Sequence, residues 1–340
     1  MTASEILDQT WLAVTAEAPQ ADGFYHRRIP LAARWPAHAG IHRPTNLRIL
    51  ILETESVLVR DNRLKERAKG FSVDIGPDEA GRADRAIICI QETNQSYREI
   101  FTLLCADILD CWTPHTDAAE ALKSLRRRLA SWKKFFQRGP QLGLSREEHI
   151  GLYGELSFVE AGLDAGMDGL SLINGWTAPL GTNQDFLFGP TAVEIKATTG
   201  NDFDKVRITN VRQLDSTGLQ NLFLVCYAFD FRQACGNILR QLVENLKARL
   251  SVVSPEALIV FTDRLLEAGF VDSIPNEFDD WGFSLRRNDV FRVGEGFPRL
   301  LETGVPPGLS EITYTLNLSA AASFKVLKPT FWTSVRSSYE

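Results

Sequence analysis

Asp185, Glu194 and Lys196 lie close together in the stretch QDFLFGPTAVEIKATT, Gln184 to Thr199, and are of types suited to handling a phosphate. Side chains alternate along a strand, so Glu194 and Lys196 share one face while Val193, Ile195 and Ala197 share the other. Apolar runs at 186–188 and 192–197 flank Gly189-Pro190, a pattern that predicts a β-hairpin. In a two-residue type II′ turn, with glycine at the positive-φ position, Phe188 faces Thr191 and Asp185 faces Glu194. Opposed residues stand about 5 Å apart, and like charges there repel. Two carboxylates and one ammonium on a single face therefore predict a divalent cation. Hard oxygen ligands select Mg2+, with Mn2+ able to take its place. The plainer alternative is a cross-strand ion pair between Lys196 and Asp185 on a solvated face. Such a pair contributes at most about 1 kcal/mol and does not explain two opposed carboxylates.

The elements around this hairpin must position it. Ser145 followed by Glu148 forms a capping box that opens a helix through EEHIGLYGELSFVEAGL. Its apolar residues Ile150, Leu152, Tyr153, Leu156, Phe158 and Val159 nearly surround it, so Glu155 is a carboxylate in a buried helix. Unpaired burial is costly, so Glu155 requires either a basic partner or a water held by a metal. After the hairpin, Lys205–Thr209 reads as a third short strand and Asn210–Thr217 as a helix start or tight turn. Leu222–Phe229 is a continuous apolar strand of the kind buried on both faces. Asn237–Leu250 is an amphipathic helix, and the order of elements implies a mixed sheet flanked by helices.

Residues 1–140 read as a β-rich N-terminal region, 141–250 as the core and 251–340 as a small C-terminal α+β module. In the first, a short helix buries Trp11, Leu12 and Val14 and a polar loop follows. Leu47–Arg60 and Ala86–Gln91 are strands, and Ser96–Trp112 is a helix. His38 and His42 have metal-capable spacing, but Pro36, Gly40 and Pro44 place them in a loop. Asp117–Arg138 is an amphipathic helix carrying Arg126, Arg127, Arg128, Lys133, Lys134 and Arg138. Those charges form either a solvated face or a phosphate-contacting patch.

The chain has 340 residues, 44% hydrophobic and 24% charged, and a net charge of −6, which excludes coating nucleic acid by bulk electrostatics and leaves only local basic patches. No run of eighteen apolar residues occurs, and the N-terminus lacks a basic and then apolar leader, so a cytoplasmic protein without a membrane anchor is expected. The five cysteines are odd in number and show no C-x2-C spacing, which reads as reduced thiols and not a zinc knuckle. No phosphate-binding G-x4-G-K-[ST] loop and no G-x-S-x-G elbow is present.

Glu155 on a helix, Asp185 at the start of a hairpin and Glu194-Ile195-Lys196 on its second strand resemble the PD-(D/E)XK nuclease superfamily. More narrowly, GLYGELSF, QDFLFGPTAVEIKATT, VRITNVRQLD and FRVGEGFPRLLETGVPPGLSEITYTLNLS resemble the PD-(D/E)XK-motif family found with restriction and phage-defence genes. Gln184 stands where the superfamily name has proline. The resemblance implies a mixed α/β (α+β) fold with a restriction-endonuclease-like αβββαβ core. It also implies metal ligation by Asp185, Glu194 and the Ile195 carbonyl, and catalytic roles for Lys196, Glu155 and, more loosely, Gln213. The activity implied is Mg2+-dependent hydrolysis of DNA phosphodiesters by a subunit of a restriction or defence system. Arg126, Arg127, Arg128, Lys133, Lys134, Lys205, Arg207 and Arg212 are candidate DNA contacts. An operon-encoded ATPase, helicase or methyltransferase is the expected partner, and a homodimer would serve to cut both strands. The alternatives are a non-catalytic DNA-binding or scaffold subunit, and a repair or junction nuclease.

Overall fold

The structure, a computed structural model, describes residues 2–31, 34–56, 65–77, 84–139, 143–200 and 202–338. The chain divides into two compact units, Met1–Leu142 and Gly143–Glu340.

The first unit opens with α1 (Ala3–Glu17), started by a capping box between Thr2 and Glu5. Leu7, Trp11 and Val14 fall on one stripe and are buried. Leu12, one hundred degrees around the helix from Trp11, is 69% exposed and not the core contact its composition suggested. Six strands follow: β1 (Gly23–Arg28), β2 (Ala37–Arg43), β3 (Leu47–Glu55), β4 (Lys65–Arg67), β5 (Phe71–Pro77) and β6 (Arg85–Glu92). They form an antiparallel sheet ordered β1-β2-β3-β6-β5-β4. The expected polar loop after α1 is thus partly strand, and His38 and His42 lie on β2 instead of in a loop. Pro36 and Pro44 bound β2 without interrupting it, and Gly40 allows it a close approach to β1. Residues 57–60, expected to continue the third strand, lie outside the described residues. Two helices, α2 (Arg98–Trp112) and α3 (Ala118–Gln137), complete the unit, with α2 packed against both α1 and α3.

The second unit begins with α4 (Arg146–Asp164), capped by Ser145 and Glu148 as expected, then α5 (Gly169–Gly175). Next come β7 (Phe186–Phe188), β8 (Thr191–Thr198), β9 (Lys205–Ile208), β10 (Asn221–Gln233) and β11 (Asn237–Ile238). The remainder is α6 (Leu239–Val253), α7 (Pro255–Glu267), β12 (Trp281–Val293), β13 (Tyr314–Asn317) and α8 (Lys328–Arg336). The central sheet is ordered β11-β12-β10-β8-β7, with β8 and β10 parallel and the other pairs antiparallel. The mixed α/β core and its element order match expectation, with two differences. First, β9 does not join the central sheet; it pairs antiparallel with β13, from far along the chain. Second, residues beyond 250 are woven into this unit, since β12 lies beside β10 in the same sheet instead of standing apart.

Apolar residues cover both sides of this sheet. Phe186, Val193, Ile195 and Phe223 belong to the core that contains α4 to α8, while Ala192, Leu222, Leu224 and Leu316 form a second apolar cluster. The approach of α4 to β8 depends on Gly154: a Cβ there would lie 2.7 Å from the Ala197 Cβ. Gly151, one turn earlier, has nothing within 4 Å of the same added atom. Gly151→Ala is therefore expected to stabilise the fold by ~0.5–1 kcal/mol through helix propensity. Gly154→Ala gains the same propensity but overpacks the interface, which costs ~1–3 kcal/mol, so the net effect is destabilising. Denaturant melts of the two variants should move in opposite directions, and a shift of both toward stability would contradict this packing.

Candidate active site

The hairpin register places the acidic residues where alternation predicts. Phe188 pairs with Thr191 and Phe186 with Val193, so continuing the ladder brings Asp185 opposite Glu194. Gly189 has φ 53°, and Pro190 cannot take a positive φ, which makes the turn type II′. Asp185 is held at both ends. Its main-chain oxygen accepts from the N–H groups of Thr177 (2.8 Å) and Ala178 (2.9 Å), and its Oδ2 accepts from the Ile195 N–H at 2.7 Å. Thr177 also donates through its hydroxyl to the Gln184 carbonyl at 3.1 Å.

Glu194 is fully buried, with its Oε1 2.7 Å from Lys196 Nζ. Neither carboxylate oxygen meets a donor in hydrogen-bonding geometry among the described residues. Lys196 Nζ instead donates to Gln213 Oε1 at 3.2 Å, and that oxygen also accepts from the Thr209 N–H (3.1 Å) and hydroxyl (3.2 Å). Gln213 thus ties Lys196 to the segment that follows β9. Gln184 Nε2 donates to the Arg212 carbonyl at 2.8 Å, so the residue at the family's proline position joins the hairpin to that same segment. Glu155 comes from α4, and its Oε2 accepts from Trp176 Nε1 at 2.7 Å. Trp176 and Thr209 are supporting residues that the sequence reading does not single out: Trp176 lies in none of the motifs that carry the resemblance, and Thr209 lies within VRITNVRQLD without a periodic signal that marks its contact with Gln213.

Charge in this cluster is unbalanced: Glu155, Asp185 and Glu194 face the single ammonium of Lys196. Burial pushes Glu194 well above the ordinary carboxylate range, and the neighbouring Asp185 charge adds to it against the pull of Lys196. Burial likewise raises Asp185, opposed by Lys196 and the Ile195 N–H. Glu155 is pushed up to about 8, by burial first and the Asp185 charge second. Lys196 is raised: burial works against its charge, but the facing carboxylates of Glu194 and Asp185 outweigh it.

A carboxyl whose folded pKa lies above its unfolded value, ~4.3 for glutamate, binds its proton more tightly in the folded state. The stability it contributes is complete below the unfolded value and is lost as pH rises through the folded one, about 8 for Glu155. The metal-free protein should therefore melt at progressively lower temperature as pH rises between these values. Glu155→Gln, whose amide does not titrate, should flatten the slope; identical slopes for variant and wild type in the presence of a chelator would contradict the assignment.

The cluster also fits a hard cation. Among the described residues no three His, Cys, Asp or Glu side chains gather as a metal-ligating group. Two carboxylates with a main-chain carbonyl suit Mg2+, which keeps waters and binds through one or two carboxylates plus substrate phosphate. Glu194 Oε2, which meets no donor among the described residues, is a buried acceptor that such an ion would satisfy. Asp185, Glu155 and Lys196 keep partly exposed edges, so a substrate phosphate can reach them.

Of the expected DNA contacts, several are already occupied. Arg128 on α3 grips Asp107 of α2 through Nε (2.6 Å) and Nη2 (2.8 Å) and is no open phosphate donor. Lys133 stands 3.7 Å from Glu66, and Arg127 donates to Ser124 at 3.4 Å. Arg126 is half-buried, and Lys134 makes a further polar contact. In the second unit, Lys205 pairs with Asp202 and Arg212 with Glu302, each at 2.7 Å, while Arg207 is exposed.

A family model described as "Putative PD-(D/E)XK family member, (DUF4420)" matches residues 7–319. The chain belongs to this family. The DUF4420 match spans both units and includes α4, the hairpin and β13. None of the curated proteins and none of the solved structures compared with the chain matches it. Among the described residues, no helix is long and apolar enough to cross a membrane.

Proposed function

We propose that this DUF4420 protein is a Mg2+-dependent DNA endonuclease, working in the cytoplasm as a subunit of a restriction or phage-defence system. The observation that carries this reading is the convergence of Asp185, Glu194 and Lys196, with Glu194 fully buried and its Oε1 2.7 Å from the Lys196 ammonium. Asp185, Glu194 and the Ile195 carbonyl would hold the ion, with Mn2+ able to replace Mg2+. In a β ladder the N–H and C=O of one residue project toward the same neighbour. The Ile195 carbonyl therefore lies on the side where its N–H meets Asp185, at the end of β7. When bound, Mg2+ neutralises charge on the scissile phosphate and acidifies water.

The chain's own groups do the rest. Lys196, fully charged and held by Glu194 and Gln213, orients the attacking water and stabilises the negative charge that builds at phosphorus. Gln213 positions Lys196. Glu155, pushed up to about 8 by burial and the Asp185 charge, would as a carboxylate hold water beside Asp185. DNA contacts fall to exposed Arg207 and to Lys205 and Arg212, whose surface ion pairs are weak enough to exchange for phosphate. One such site cuts one strand, so a homodimer or two successive nicks would sever a duplex.

Incubating supercoiled plasmid with the purified protein and Mg2+ or Mn2+ should give nicked or linear product, abolished by chelator. Binding without cutting, with the protein alone and with its operon-encoded partners, would replace this reading with a scaffold role.

A further inference from the structure

The first unit holds a second set of metal-capable side chains, of a different chemical kind. His26 on β1 and His38 on β2 face each other with Nδ1 to Nδ1 3.3 Å apart, their rings nearly perpendicular at 84°. The backbone explains the meeting. His26 pairs with Gly40, so His38, two residues earlier on β2, is its diagonal neighbour on the same face. A Cβ on Gly40 would lie 2.3 Å from the Tyr25 carbonyl oxygen and 2.6 Å from the His26 Cβ. Only glycine at that position lets the two strands come so close.

The other nitrogen of His38 is also engaged. Its Nε2 lies 3.1 Å from Oε1 of Glu53, a buried carboxylate on β3. Donation of Nε2–H to that carboxylate leaves Nδ1 as the bare lone pair, aimed at His26. A carboxylate behind a histidine is the arrangement that fixes tautomer and ring orientation in metal centres. The spacing agrees: two imidazole nitrogens each ~2.05 Å from one tetrahedral cation stand about 3.3 Å apart.

The geometry points to a binding site for a divalent cation of the zinc class, ligated by His26 Nδ1 and His38 Nδ1, with Glu53 orienting His38 and water completing the shell. Imidazole ligands favour Zn2+, Co2+ or Ni2+ over Mg2+, so this site and the carboxylate cluster would sort cations by hardness. β1 is the edge strand of its sheet, and a cation shared by His26 and His38 clips that edge to β2.

The test uses the full-length Glu194→Gln protein, so that the carboxylate cluster does not compete. Titration with Co2+, followed by its visible ligand-field absorption, should show one bound ion that Zn2+ displaces. His26→Gln added to that background should weaken binding at least ~10-fold, and Glu53→Gln by a similar factor. His26 is exposed, so His26→Gln should leave the metal-free melting temperature unchanged and separate lost binding from lost folding. Co2+ binding that survives His26→Gln undiminished, or no Co2+ binding by the Glu194→Gln protein, would overturn the site and leave only a hydrogen bond between two imidazoles.

Discussion

Lys196→Met is expected to slow DNA cleavage by about 100- to 1,000-fold, the range found when one preorganised electrostatic partner of a transition state is removed. Methionine keeps the length of the side chain but brings neither charge nor donor to the point between Glu194 Oε1 and Gln213 Oε1. The loss should fall on turnover and not on Mg2+ affinity, because removing a cation from the site makes it more attractive to another. Arginine should not restore the rate: its planar fork is wider than an ammonium held 2.7 Å from one oxygen and 3.2 Å from another. Cleavage rates at saturating Mg2+, with metal affinity measured separately, check both halves. A Lys196→Met protein that cuts at the wild-type rate would remove this residue from the mechanism.

Glu194→Gln and Asp185→Asn are each expected to reduce cleavage by about 1,000-fold or more while leaving the fold intact or firmer. The sign of the stability change is informative. Both carboxyls are raised by burial, so in the metal-free protein above neutral pH their ionisation works against folding. An amide does not ionise, and Glu194→Gln should therefore raise the metal-free melting temperature at alkaline pH while abolishing activity. A site built for charge gives up stability to hold that charge. Asp185→Ala should behave differently from Asp185→Asn, because it also strands the Ile195 N–H, at a cost of ~1–3 kcal/mol. Melting curves across pH, paired with plasmid cleavage, separate the two effects.

The part of the site that is local in sequence was legible. Period-two alternation, a Gly-Pro turn and a capping box are short-range signals, and they placed Asp185, Glu194 and Lys196 on one face and α4 ahead of them. The resemblance added Gln213, whose contact with Lys196 spans seventeen residues and has no periodic signature. What escaped was long-range or depended on neighbours. The partner of β9 is β13, which follows β12 in the chain, and nothing in KVRIT announces that pairing. The basic stripe of α3 looks unopposed along its own helix, yet Asp107 from α2 and Glu66 from β4 meet Arg128 and Lys133 there. β2 was hidden because Pro36, Gly40 and Pro44 read as breakers, whereas the prolines bound the strand and the glycine admits its neighbour. Leu12 shows the same limit on a helix: its type predicts burial, but only its phase relative to Leu7, Trp11 and Val14 decides it.

The central claim is that the folded site raises the proton affinity of the Glu155, Asp185 and Glu194 carboxyls, Glu155 to about 8, so that a divalent cation entering the site competes with protons there. Isothermal titration of Mg2+ into wild-type protein near neutral pH, in two buffers of different ionisation enthalpy, measures that exchange directly. The account predicts binding accompanied by net proton release, with both lost in Glu194→Gln. Mg2+ binding with the same heat in both buffers, or binding that survives unchanged in Glu194→Gln and Asp185→Asn, would contradict it.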